Sequence, residues 1–198
     1  MSRPSGVVVL TDRRQTDRPL TDVIRAAADG GARWVVLREK DLPRDERAAL
    51  ADALRAILAP YDGRLIVAGP DPLGGDAVHL PAAGPYPPPD LALVGRSCHN
   101  EQELRRLSTE DYVMLSPVFP SRSKPGYGPA LQPEGLARLT ARAARPALAL
   151  GGVETPEQAA ACRAAGAAGV AVMGAVMRAA DPAAVVAGLS EALVGSRL

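Results

Sequence analysis

Eight short apolar runs, rich in Val and Leu, alternate along this 198-residue chain with segments of helical composition. We predict strands over residues 7–11, 34–37, 65–68, 77–80, 92–95, 112–116, 146–150 and 168–173. We predict helices over residues 20–29, 45–58, 133–143, 156–165 and 182–193. Strands that alternate with helices favour parallel βα units, and about eight such units close a (β/α)8 (TIM) barrel. An open doubly wound sheet is the alternative fold.

Two connections interrupt the alternation. Residues 69–76, between the third and fourth strands, form a connection too short and too rich in Pro and Gly for a helix. Residues 81–89, after the fourth strand, form a Pro-rich loop without helical periodicity. We therefore expect a single barrel domain over residues 1–198, with an irregular wall on this side.

Composition narrows the range of partners. The formal net charge is +1 and aromatic residues make up 3% of the chain, so no basic, aromatic-rich face for nucleic acid is expected. No apolar stretch approaches the roughly 20 residues that cross a bilayer, and no signal peptide is recognisable, so we expect a cytoplasmic protein without membrane contact. Cys98 and Cys162 are isolated, which predicts buried free thiols. The sequence leaves the oligomeric state open, and a homodimer is one option.

The second predicted strand ends in a cluster of charge, Arg38-Glu39-Lys40. In α/β barrels the binding groups follow the carboxyl ends of the strands, so Arg38 and Lys40 are candidate anion-binding residues. The alternative is that both are ordinary solvated loop charges and that Glu39 pairs locally.

Other strand ends carry groups suited to the same kind of ligand. The loop after the sixth strand contains Ser and Lys residues and is a candidate lid over an anion; its candidate contacts are Ser121, Ser123 and Lys124. Gly151 and Gly152 follow the seventh strand and Gly174 follows the eighth, where backbone N–H groups can approach a phosphate. Tight turning of the chain is the alternative reason for these glycines. The combination favours a phosphorylated small molecule.

Seven segments together resemble the thiamine phosphate synthases and their relatives, the thiazole tautomerases. They are Leu10-Thr11-Asp12, Val36-Leu37-Arg38-Glu39-Lys40, Ala77-Val78-His79-Leu80, Ser116-Pro117-Val118-Phe119, Ser123-Lys124-Pro125, Leu150-Gly151-Gly152-Val153 and Gly169-Val170-Ala171-Val172-Met173. The resemblance implies a (β/α)8 barrel in the thiazole branch of thiamine biosynthesis. It also implies that thiazole phosphate is bound at Gly151, Gly152, Met173 and Gly174.

The chain departs from the synthase pattern where the resemblance implies a magnesium site. Synthases carry an Asn-Asp pair just after strand three and an acidic residue shortly after strand four, and these carboxylates hold Mg²⁺ against the leaving diphosphate. Here the matching positions are Ala68-Gly69 and residues 81–84, without a carboxylate, and Val36 replaces a polar Gln. Asp71 and Asp76 lie nearby, but Asp76 precedes a strand and so belongs to the opposite end of the barrel.

The tautomerase branch needs no metal, because it moves a proton within a carboxythiazole phosphate and makes the ring aromatic. His99 matches the proposed catalytic histidine of that branch, and histidine is the side chain that titrates near neutral pH. The leading hypothesis is therefore a metal-independent tautomerase without a cofactor, in which His99 transfers the proton. Loop packing or helix capping is the alternative role for His99. His79 is interpreted as a structural histidine and Cys98 as packing.

Two other functions stay open. One is thiamine phosphate synthase, which joins a pyrimidine methyl diphosphate to thiazole phosphate and would require Mg²⁺. The other is a non-catalytic or regulatory protein that binds thiazole phosphate.

Overall fold

Eight parallel strands form the centre of the computed structural model, which describes residues 2–122, 126 and 128–195. The strands β1 to β8 are Gly6–Leu10, Trp34–Leu37, Arg64–Ala68, Ala77–Leu80, Leu93–Cys98, Tyr112–Leu115, Ala147–Leu150 and Gly169–Val172. Each strand pairs with its neighbour in chain order, and β8 pairs with β1, so the sheet is a closed barrel. The closed barrel confirms the (β/α)8 prediction and excludes the open doubly wound sheet.

The helices of the described residues lie outside the strands. Helices α1 to α7 are Leu20–Asp29, Arg44–Leu58, Glu101–Leu104, Gln132–Thr140, Pro156–Ala164, Gly174–Met177 and Pro182–Val194. The sequence did not predict α3 and α6, because helices of four residues are too short for a helical period to be visible. None of the described helices is long and apolar enough to cross a membrane.

Side chains alternate between two cores along each strand. In β2, Trp34 and Val36 point into the barrel, whereas Val35 and Leu37 pack against the surrounding helices. All four are buried, as expected for a parallel strand covered on both faces. The apolar runs in the sequence are continuous because each strand lies between two cores, one inside the barrel and one under the helices.

The wall around β4 is irregular, as predicted. Neither residues 69–76 nor residues 81–92 contain a helix. Arg96 of β5 points outward here and donates to the carbonyl oxygens of Pro81, at 3.0 Å, and Pro85, at 2.8 Å. Its guanidinium stacks 3.9 Å from the ring centroid of Tyr86 and pairs with Glu110 at 2.5 Å. The buried Arg96 therefore binds the Pro-rich loop to the barrel wall, at the place where a helix packs in a regular βα unit.

Candidate active site

A cavity of about 140 Å³ opens at the carboxyl end of the strands, between the exits of β1, β2, β6, β7 and β8. It brings together six of the residues that the sequence indicated, and they are Arg38, Ser121, Gly151, Gly152, Met173 and Gly174. The predicted candidates Ser123 and Lys124 lie outside the described residues. The strand order thus explains why residues more than 130 positions apart share one pocket.

The glycines after β7 are required by the backbone. Gly151 and Gly152 adopt φ angles of +103° and +68°, which side-chain-bearing residues rarely adopt. A Cβ on Gly152 would also overlap the carbonyl oxygens of Phe119 and Pro120, from the loop after β6. The glycines are therefore compatible with both reasons that the sequence offered. They permit a tight turn of the chain, and they also bring backbone groups to the cavity wall, where a phosphate could bind.

Arg38 is available to an anion. Its backbone N–H donates to Thr11 Oγ1 at 3.0 Å, and its Nη1 lies 3.0 Å from the sulfur of Met173. Within the described part of the chain, no carboxylate pairs with its guanidinium. Glu39 instead turns toward Arg13, accepting from its N–H at 3.1 Å and from its Nη1 at 2.9 Å. The expected alternative, local pairing of Glu39 with its neighbours, is therefore wrong.

Lys40 lies beside the cavity without lining it. It borders an adjoining pocket together with Arg38 and Asp12. Lys40 also contributes to the environment of His79, whose pKa falls to about 3 because of burial and then because of the positive charges of Lys40 and Arg96.

His79 lies inside the barrel below the mouth. Its Nε2 is 2.9 Å from Ser97 Oγ and its Nδ1 is 3.2 Å from the hydroxyl of Tyr112. Because both ring nitrogens have partners and the lowered pKa keeps the ring neutral, the arrangement agrees with a structural histidine.

His99 follows β5 by one residue, since this strand extends to Cys98 and beyond its predicted end at residue 95. Glu103 of α3 accepts the His99 backbone N–H at 2.6 Å and lies 2.9 Å from the ring Nδ1. A carboxylate at this distance favours the tautomer that carries the proton on Nδ1. His99 is on the same rim as the cavity but does not appear among its lining residues.

The acidic residues near β3 are poor candidates for a magnesium site. Asp71 accepts from Arg44 Nε at 2.8 Å and from the Leu73 N–H at 2.9 Å. Asp76 pairs with Arg64 at 3.0 Å at the opposite end of the barrel. Gly69 and Gly84 have φ angles of +116° and +140°, so the backbone there suits glycine better than a carboxylate residue.

The donor set around β3 is also positively charged. Arg47 donates to the carbonyl oxygens of Ala68, at 2.5 Å, and Leu37, at 3.3 Å, at the exits of β3 and β2. In the described part of the chain, no group of three or more His, Cys, Asp or Glu side chains could hold a metal ion. These donors do not fit Mg²⁺, which prefers carboxylate oxygens.

Both cysteines are buried and free. Burial raises the pKa of the Cys98 thiol to about 12 and that of the Cys162 thiol to about 11. The predicted buried free thiols are therefore confirmed, and a thiol with a raised pKa is a poor nucleophile.

The sequence did not indicate two charged residues of the cavity, Glu154 and Arg178. Glu154 follows Gly152 by two residues, and Arg178 follows Gly174 by four, one helical turn. The turn of α6 returns Arg178 to the site, but the sequence did not reveal so short a helix.

Comparisons with known proteins support a family assignment. The family model described as "Thiamine monophosphate synthase" matches residues 7–176. A thiamine-phosphate synthase of Anaeromyxobacter dehalogenans is 41% identical over 87% of this chain and 82% of its own length. One from a Roseiflexus species is 35% identical over 98% of this chain and 89% of its own.

A solved structure supports the same assignment. The thiamine phosphate pyrophosphorylase of Pyrococcus furiosus superposes with a TM-score of 0.81 at 25% identity, over 96% of this chain and 95% of its own. The named relatives are synthases, and none of these comparisons distinguishes a tautomerase branch. The family match, the long alignments and the shared barrel agree with the motif resemblance, and the chain therefore belongs to the thiamine monophosphate synthase family.

Proposed function

We propose that this chain binds a thiazole phosphate in thiamine biosynthesis and moves a proton within a carboxythiazole phosphate without a metal. One observation carries the proposal. The exits of β7 and β8 retain an exposed glycine backbone in a cavity with Arg38, whereas the exits of β3 and β4 have arginines and glycines in place of metal-binding carboxylates.

In this proposal the substrate lies across the mouth of the barrel. Its phosphate contacts the backbone at Gly151 and Gly152, and its carboxylate faces Arg38, which has no carboxylate partner among the described residues. Lys40, on the adjoining pocket, screens the remaining negative charge. The two anionic ends of the substrate would then fix the ring between them.

His99 transfers the proton in this proposal. Nε2 takes a proton from one ring position and returns it at a second position, so the net proton count is unchanged and the ring becomes aromatic. Glu103 keeps the proton on Nδ1 and stabilises the imidazolium that forms between the two transfers. The substrate must reach from the cavity toward β5, because His99 does not line the cavity.

Thiamine phosphate synthase is the second candidate, and the names of the relatives favour it over the tautomerase. Synthase chemistry would require new donors for Mg²⁺. Asp71 is the carboxylate on the correct end of the barrel, and it would first have to leave Arg44 and the Leu73 N–H.

Paired assays on one preparation test the proposal. The first follows aromatisation of the carboxythiazole phosphate tautomer in EDTA, and the second follows thiamine phosphate formation from the two synthase substrates with Mg²⁺. We expect activity in the first assay and a loss of roughly 10²–10⁴-fold in His99→Ala. Glu103→Gln should reduce the rate less, and Arg105→Met, at the exposed C-cap of α3, serves as the control.

Each outcome selects one function. Mg²⁺-dependent thiamine phosphate formation with no tautomer conversion would replace the proposal by the synthase. Binding of thiazole phosphate without turnover in either assay would indicate the non-catalytic protein. Conversion that is unchanged in His99→Ala would refute the assigned proton carrier.

A further inference from the structure

Arg178 is a second cation of the cavity, and neither the motifs nor the family resemblance assigns it a role. It ends the single turn of α6, and its guanidinium folds back over Gly174. A Cβ on Gly174 would overlap this guanidinium, with Cζ only 2.6 Å away. The absence of a side chain at position 174 therefore lets Arg178 lie against Gly174, which lines the cavity.

Two acceptors hold Arg178 in this position. Its Nη2 is 3.0 Å from Glu154 Oε1, and its Nη1 is 2.5 Å from Gln15 Oε1. The other oxygen of Glu154 lies 3.9 Å from Arg122 Nε, on the loop after β6. The side chains of Arg178 and Glu154 are each 35% exposed. Solvent therefore screens this ion pair, and its low stability allows either group to exchange partners.

A carboxylate beside a phosphate site requires an explanation. Glu154 lines the same cavity as Gly151 and Gly152, and its negative charge would repel an incoming phosphate. The Arg178 guanidinium contacts both Glu154 and the position of Gly174, and a guanidinium can donate to more than one oxygen acceptor. The same cation can therefore balance Glu154 in the empty site and a phosphate in the occupied one.

We propose that Arg178 is a ligand-binding residue that donates to the phosphate of the bound molecule, and that Glu154 and Gln15 hold it over Gly174 before the ligand binds. The identity of the ligand rests on the proposed function, whereas the anion site itself does not. Arg178 then favours phosphorylated molecules over their alcohols, whereas Glu154 competes with the phosphate for Arg178.

Calorimetric titration with thiazole phosphate and with the corresponding thiazole alcohol tests this inference. Arg178→Met keeps the apolar stem and should weaken thiazole phosphate binding about 10-fold or more, as expected for a charge-assisted hydrogen bond, with little effect on the alcohol. Glu154→Gln should strengthen phosphate binding severalfold, because the competing charge is gone. Arg105→Met, at the C-cap of α3 where the arginine side chain is 71% exposed, should match the wild type.

The two variants should change the affinity for thiazole phosphate in opposite directions, and this distinguishes a ligand-binding role of Arg178 from a purely structural one. The inference is overturned if Arg178→Met binds thiazole phosphate as tightly as the wild type does, or if it loses both ligands equally. Weaker binding in Glu154→Gln would also contradict it.

If the wild type binds neither thiazole compound, the proposed function fails and inorganic phosphate is titrated instead. Arg178-dependent binding of phosphate would then uphold the anion site, and binding that ignores Arg178→Met, or no binding, would overturn it.

Discussion

The two sides of the barrel mouth are built in different ways. On the side of β7 and β8, glycines line a cavity, and the charged side chains of Arg178 and Glu154 beside them are partly solvated. On the side of β3 to β5, arginines fill the space by binding the protein itself. Arg47 binds the carbonyl oxygens of Leu37 and Ala68, and Arg96 binds those of Pro81 and Pro85.

The difference indicates that the arginines on one side contribute to ligand binding and those on the other side to stability. The cations of the first side can reach a ligand, whereas those of the second are used in holding strands and loops together. A barrel that needs a metal at the exits of β3 and β4 would present carboxylates to it, whereas here Arg47 binds the backbone at the exit of β3 and Asp71 pairs with Arg44. The comparison therefore predicts that changes on the two sides affect different measurements.

Removal of Arg96 should have the largest effect on stability. Arg96→Met leaves Glu110 buried without its partner, and breaking a buried ion pair costs about 3–5 kcal/mol. For a chain of this size we expect Tm to fall by roughly 6–20 °C, measured by circular dichroism. Where the variant is folded, phosphate affinity should match the wild type.

A double variant provides the control. Arg96→Met combined with Glu110→Gln removes both charges and should recover part of the loss. If Arg96→Met melts within about 2 °C of the wild type, the arginine does not fasten this side of the barrel.

Gly152→Ala should instead remove ligand binding. The positive φ and the overlap with Phe119 and Pro120 force the backbone to move, at a cost of about 1–3 kcal/mol. Titration with thiazole phosphate should detect at least a 10-fold loss of affinity, about 1.4 kcal/mol. Gly188→Ala is the matched control, because Gly188 lies within α7 and the atom nearest to an added Cβ there, Pro156 Cγ, would be 3.8 Å away. Retained affinity in Gly152→Ala would contradict the glycine site.

The buried His79 should make the barrel sensitive to acid. Its folded pKa of about 3 is below the unfolded value of 6.5, so only the unfolded chain binds a proton between these values. Stability should therefore fall as pH decreases from 6.5 toward 3, by up to about 1.4 kcal/mol per pH unit from this group. Urea unfolding at pH 7 and pH 5 should give a smaller difference in His79→Gln, and an equal difference would contradict the assignment.

Asp71→Asn should have the smallest effect. The Arg44–Asp71 pair is exposed and contributes below about 1 kcal/mol, and Asn can still accept the Leu73 N–H. We expect nearly unchanged stability and unchanged turnover. Collapse of a Mg²⁺-dependent synthase rate in this variant would instead identify Asp71 as a metal ligand.

The sequence predicted the barrel because burial on both faces gives each strand an unbroken apolar run, as in Trp34–Leu37. It also indicated that Gly151 and Gly152 lie at the site, because tight turns and phosphate sites both favour residues without a Cβ. It could not predict the end of β5, since Arg96 resembles a loop charge until its partner Glu110 is known.

Arg178 and Glu154 were missed for a related reason. Both are ordinary charged residues in the sequence, and only the turn of α6 and the closed strand order bring them to one cavity. Charged residues whose role depends on distant neighbours are therefore the part of this site that local sequence patterns do not reveal.

The central claim is that this mouth keeps a phosphate site and has no magnesium site. The most direct measurement is the rate of carboxythiazole phosphate aromatisation with EDTA and with Mg²⁺, in parallel with thiamine phosphate formation under the same conditions. The account predicts equal aromatisation rates with and without the metal, and no thiamine phosphate. Thiamine phosphate formation that requires Mg²⁺, with no aromatisation, would contradict it.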